Sequence, residues 1–453
     1  MRDRRRLIEW GKDLLILLLS VSAVFLAARS LFSTSLAGRS GDTWISRVAQ
    51  WLDGSRTVLG PDPVRENREV PVSPVRIVIT NDQLARYGVQ YDTAAADTVF
   101  RSVFSVLGEA LTSAGTPQSV PAVRWEQAMT QCPGICYDLL GDYPLETLLA
   151  WLEQGSVNPS LAGSARRVLL VREDGDARLY CRTQDGVCTV SALPSSLLTR
   201  FSSVVDGWSA NSVSYACELG TDTSLSRISP CVLLGSDAPV LPVFRAQSAL
   251  DAPGDARALL ALLSGFEVLG FSSVATSTPY LSAGGEWVIP DGSDQLRLDA
   301  AGTLSFHADA AEYARYPVSC AGELPTLTEM LDTVEPIAAG TVGRSCGDAR
   351  LYLMGVRELG DGQWQIDFGY CLSGAAVSPG SGGYAARFLI RGTAVTEFTL
   401  RFRSYSAAGE SEKLLPEEQA AAAALALNGQ GRELIVRYED SGAEIVRPVW
   451  TVQ

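Results

Sequence analysis

Histidine occurs once in the 453 residues, at His307, and lysine only at Lys12 and Lys413, so chemistry built on these side chains has few places to sit. A Ser-His-Asp or Cys-His site needs an imidazole within reach of its nucleophile. A structural or catalytic zinc site usually draws on several His or Cys ligands. A Schiff base or a Ser-Lys pair would have to use Lys413, just ahead of a predicted surface helix. Arginine is abundant, and codon bias toward it accounts for the missing lysines without invoking function.

Gly343-Arg344-Ser345-Cys346-Gly347 matches the G-x-S-x-G pattern of a nucleophile elbow. That motif requires a strand before it, a helix after it, and an Asp and a His later in the chain. Here Leu351 onward reads as strand and His307 comes earlier, so the segment is read as a Gly-rich turn. The paired carboxylates Asp174 and Asp176, or Asp291 and Asp294, sit beside glycines and read as turn residues. They lack the spacing of a calcium loop. Gly429 and Gly431 read as a helix stop rather than a dinucleotide fingerprint. No catalytic, cofactor or metal residue is assigned, and the chain is read as a non-enzyme.

Nine cysteines in an exported chain point to disulfides with at least one thiol left over. Two apolar arms around Thr183-Gln184-Asp185-Gly186 read as a hairpin, and a four-residue loop would set Cys181 opposite Cys188. Cys132 and Cys136 flank Pro-Gly-Ile and offer a second, tighter loop.

The elements that would position these residues fall in two regions. From 75 to 237 the pattern is α+β: Arg76 to Thr80 reads as a strand, Phe100, Val103, Phe104, Leu107 and Leu111 recur at helical spacing, and a helix starts near Pro144. From 238 to 453 it is an antiparallel α+β region of one or two subdomains, with a strand at Val240 to Phe244 and helices near 254–266 and 326–334. Strand pairs within 351–370 and 385–405 and a helix from Pro416 complete it. The expected fold class is α+β, with antiparallel sheets and helices packed on one face.

Ahead of this lies a different kind of chain. Arginine is concentrated in residues 1–13, and 14–32 form an apolar run that reaches spanning length if Arg29 snorkels. The basic start belongs on the cytoplasmic side, which places the rest of the protein outside a cell membrane as a single-pass chain. Residues 33–74 then read as a helix over Thr43 to Leu52, with Trp44 and Trp51 on one face, followed by a Pro-rich linker. A cleaved secretory signal is the alternative, with Ser35-Leu36-Ala37 before Gly38 as the cut. The net charge of -14 argues against nucleic acid as a partner.

Several of these features together resemble the YycH and YycI family of membrane-anchored two-component system regulators. They are the Arg-rich start with its single anchor, the helix-rich stretch Phe100 to Leu152 with Trp125, Gly285-Glu286-Trp287 with the strands from Gln295 to Phe306, and the closing Pro448-Val449-Trp450. The resemblance implies an extracytoplasmic accessory protein that regulates a sensor histidine kinase of a cell-wall system and associates with a sister regulator. It also implies a transmembrane contact with the kinase. Ser20, Ala23, Ala27 and Ser30 lie on one narrow face and are the residues expected to make it. The nine cysteines depart from what the family leads one to expect. An anchored glycan-acting envelope enzyme and an envelope adaptor or ligand-binding module are the other readings.

Overall fold

The computed structural model describes residues 72–452 apart from 154–155, 220–228, 230, 236, 251–253, 271–277, 292–293, 309–313, 381–382 and 427–432. The expected anchor, its contact residues Ser20, Ala23, Ala27 and Ser30, and the juxtamembrane helix therefore lie outside the described residues.

Alternation of apolar side chains builds a first sheet from β1 (Arg76–Thr80), β2 (Arg86–Gln90), β3 (Gln118–Val120), β4 (Gly134–Pro144), β5 (Ser164–Glu173), β6 (Asp176–Arg182) and β7 (Cys188–Ala192). Their order is β2-β1-β4-β5-β6-β7-β3, antiparallel throughout. Successive strand residues face opposite sides. Ile77, Ile79, Ile135, Tyr137, Val168 and Leu170 enter one core, while Val78, Cys136, Leu169 and Val171 enter another.

The first of these cores is roofed by α1 (Thr93–Ser113), α3 (Leu145–Leu152) and α4 (Ser196–Val205). Asp92 caps α1 by accepting from the Ala95 amide, and Val99, Val103, Val106 and Ala110 recur on its buried face. The opposite face is covered by α2 (Ala122–Gln131), through Trp125 and Met129, and by a short hairpin of β8 (Ser214–Tyr215) and β9 (Leu233–Leu234). Helices thus lie on both faces of this sheet, not one. The physical reason is that its central strands are apolar on both sides and need cover on both.

The second sheet holds thirteen strands. They are β10 (Val240–Ser248), β11 (Tyr280–Leu281), β12 (Trp287–Asp291), β13 (Asp294–Leu298), β14 (Thr303–Ala308), β15 (Arg350–Gly360) and β16 (Gln363–Leu372), followed by β17 (Ala375–Pro379), β18 (Ala386–Arg391), β19 (Ala394–Arg401), β20 (Arg403–Lys413), β21 (Leu434–Asp440) and β22 (Ile445–Val452). All its described strand pairs are antiparallel except β17 with β21. Three helices accompany it: α5 (Ala256–Ser264), α6 (Leu327–Ala338) and α7 (Glu417–Ala426). Thr326 and Glu329 form a reciprocal capping box at the start of α6.

Residues 69–453 make one compact unit, and a single apolar cluster runs from Ile77 and Tyr137 in the first sheet to Leu353 and Tyr405 in the second. Where β4 crosses β15, a Cβ on Gly141 would stand 1.9 Å from the Leu353 carbonyl oxygen. Next to it the Leu353 amide donates to Tyr143 Oη at 3.1 Å. Trp151 Nε1 donates to Asp332 at 2.9 Å, and Arg350 pairs with Asp97, which also accepts from Ser73.

Candidate functional site

Strand β5 carries Arg166 and Arg167 immediately before the apolar run Val168–Val171, and both arginines are buried. Buried charge must find partners. The first partner is Asp138, 2 % exposed and directly opposite Arg167 in the β4–β5 register. Beyond Asp138 the register breaks, Leu140 turns to φ 72°, and the Asp138 carboxylate accepts from the Leu140 amide. The break lets neighbouring residues that would face opposite sides converge: Arg167 Nε lies 2.9 Å from Oδ2 of Asp138 and Arg166 Nε 3.4 Å from Oδ1.

The second partner comes from the other sheet. Glu433, just before β21, is bonded by Arg167 Nη2 and lies 3.5 Å from Arg166 Nη1 and 4.0 Å from Arg76 Nη2. Arg76 Nη1 donates to the Cys231 carbonyl at 2.7 Å, while its Nε is buried with no hydrogen-bond partner. Three arginines from the first sheet thus share one carboxylate from each sheet.

This mutual pairing fixes protonation. Burial opposes the charge on Asp138, but Arg167, Arg166 and Arg76 outweigh it and hold the carboxyl far below the usual range. Glu433 is likewise lowered, with Arg167 and Arg166 overcoming burial. Neither carboxylate is a proton donor at neutral pH, so the pair cannot supply the general acid of a glycosidase.

Arg76 lines two small cavities. One, of about 20 Å³, is lined by Arg76, Tyr91, Asp138, Leu140, Arg166 and Gly374 among others. The other, of about 10 Å³, reaches Cys136, Tyr215 and Cys231. Sites for small-molecule ligands measure roughly 300–1,000 Å³. Tyr91 has φ 61°, and Ser373, beside Gly374, has φ 47°. Tyr91 and Leu140 are thus two non-glycine residues in the left-handed region lining one cavity, at a cost on the order of 1–3 kcal/mol each. Burial raises the Tyr91 phenol to about 12, keeping it protonated.

The sequence-predicted residues fall elsewhere. Cys181 faces Thr189 and Cys188 faces Arg182, because the strands pair one residue out of the expected register: Thr183 N bonds Val187 O across the turn residues 184–186, and Gly186 takes φ 84°. One residue of slip reverses the faces. Cys181 enters the core under α1 and Cys188 the core under α2, so the expected 181–188 disulfide is not formed. Cys132 ends α2 and Cys136 lies in β4, both in the second core and unlinked.

Ser345 of the elbow-like motif follows α6 and a π-helical turn, Ala339–Gly343, and its hydroxyl donates back to the Thr341 and Val342 carbonyls. Asp291 and Asp294 are both bound by Arg315. His307 is exposed on β14 beside Glu397, at 3.4 Å. No group of His, Cys, Asp and Glu suited to a metal occurs among the described residues.

No protein-family model matches the chain, and no similar curated protein or solved structure was found.

Proposed function

We propose that this chain is a membrane-anchored, extracytoplasmic accessory protein that regulates a sensor histidine kinase of a cell-wall two-component system. Its transmembrane segment and its folded body both act as contact surfaces. The observation that carries the reading is topological: a basic start and one apolar run, 14–32, precede a folded body of two interlocked sheets. The body adds indirect support. Its deepest polar groups are spent on one another, and the cavities beside them are smaller than a substrate. A rigid body with such an interior suits protein contact better than turnover. The resemblance to the YycH and YycI regulators supplies the partner class, a sensor kinase together with a sister regulator.

The test is recovery of a histidine kinase with the full-length chain from detergent-solubilised membranes, compared with a variant carrying Ala23→Leu and Ala27→Leu. Loss of kinase from the variant, with the ectodomain still folded, supports the reading. Equal recovery removes the transmembrane contact, and no kinase with either chain overturns the regulator reading in favour of an adaptor.

A further inference from the structure

Arg76, Arg166 and Arg167 bring three positive charges to the junction of the two sheets, and Asp138 and Glu433 meet them with two negative ones. One buried positive charge is left over. The charges at the next remove include Arg182 against Cys231 and Arg437 near Tyr352, together with Asp142 near Arg166 and Glu417 near Tyr91, two of each sign. They leave the excess standing. Charge held away from water without a counter-charge is costly.

The excess falls on Arg76. Its contact with Glu433, at 4.0 Å, is the longest in the cluster, and its Nε is buried with no hydrogen-bond partner. Arg76 lines the larger cavity, and so does Tyr91, whose hydroxyl oxygen is approached by the Val436 amide. Burial raises this phenol to about 12, so it keeps its proton, and Tyr91 donates that proton to no acceptor among the described residues. Two donors without acceptors thus belong to residues that line one cavity. Asp138 lines it as well, but its oxygens are taken up by Arg167 Nε, Arg166 Nε and the Leu140 amide. Gln90, a further lining residue, spends its side-chain amide on the Leu233 carbonyl at 3.1 Å.

We propose that this cavity is a binding site for one monatomic anion of the chloride type, held by the Arg76 guanidinium and the Tyr91 hydroxyl. A single water takes up roughly 10–15 Å³ of such space. A cavity of about 20 Å³ therefore admits one small ion and is too small for phosphate or sulfate. Val75, Ile435 and Val436 supply apolar wall, which leaves the attraction between the ion and the guanidinium less screened than in water. Arg76, Gln90 and Tyr91 are each only half-buried, so the ion has a way in from solvent. Bound there, it brings the charge at the sheet junction into balance. The left-handed backbone at Tyr91 and Leu140 fits the same reading, since such strain collects at ligand sites.

The site does not depend on the kinase reading. Full-length chain in detergent is melted in rising sodium chloride, with sodium gluconate, whose anion is too large for the cavity, holding the ionic strength constant. The wild type is expected to gain melting temperature up to a plateau, as a ligand that binds only the folded state requires, and to broaden the chloride NMR line. Arg76→Gln and the milder Tyr91→Phe each remove one hydrogen bond to the ion, and are expected to raise the half-saturating chloride concentration about tenfold or more. Should Arg76→Gln fail to fold, Tyr91→Phe decides. A wild type that responds to chloride no more than to gluconate, as it would with water in the cavity, overturns the site. So does a plateau that the folded variants reach at the wild-type concentration, which marks an adventitious ion only.

Discussion

Glu433, at the threshold of β21 in the second sheet, is held by Arg167 from the middle of the first, and the same guanidinium holds Asp138 in its own sheet. One side chain therefore ties the two sheets together, and removing either carboxylate strands buried positive charge. Breaking a buried pair in this way costs about 3–5 kcal/mol. Asp138→Asn and Glu433→Gln are each expected to lower the urea midpoint of the folded body accordingly. Variants that unfold at the wild-type midpoint would show that the cluster is solvated rather than buried.

Acid should release the same cluster. Asp138 and Glu433 have folded-state pKa values below their unfolded ones, so their contribution to stability is complete above about pH 4–5 and declines as pH falls through the unfolded values toward the folded ones. Thermal melts across pH 2–7, roughly the span the carboxylates govern, are expected to show a steeper loss below about pH 4 in the wild type than in a double variant, Asp138→Asn with Glu433→Gln. Parallel curves would contradict this.

Gly141 should tolerate no side chain. A methyl group there meets the Leu353 carbonyl and, at 2.9 Å, the Met354 Cα, both backbone atoms that move only if the crossing of β4 and β15 opens. Overpacking typically costs about 1–3 kcal/mol, and a backbone obstacle places Gly141→Ala at the upper end. Gly285, with open space around its built Cβ but φ 81°, is the useful contrast: Gly285→Asn, a residue that accepts left-handed backbone, should be nearly silent. Equal melting temperatures for Gly141→Ala and wild type would remove the close contact.

Cys181 and Cys188 should stay apart under oxidation. Their strand register assigns them to opposite faces, so peptide mapping after glutathione treatment is expected to recover them separately, and a linked 181–188 peptide would mean a strand register one residue away from the one described.

Much of the architecture was legible because it follows from periodicity. The strand at Arg76–Thr80, the buried stripe of α1 and the starts of α6 and α7 follow from apolar spacing and caps alone. The charged cluster was not, since Asp138 and Glu433 lie far apart in the chain and neither has a local pattern that marks it as buried. One signal was available: two adjacent arginines opening the run Val168–Val171, where a strand core should hold no charge. The cysteine geometry was missed for a different reason. The hairpin near Cys181 is visible in turn residues, but its register hangs on a single loop residue.

Gly141 also has a meaning in the currency of sequence divergence. A surface position can drift one substitution at a time, because each change is judged alone. At 141 the neighbour that forbids change is a main-chain oxygen, which no mutation at Leu353 can shorten or remove. Compensation is therefore closed off, and in any protein sharing this crossing of strands the glycine should be the residue that a lineage cannot trade.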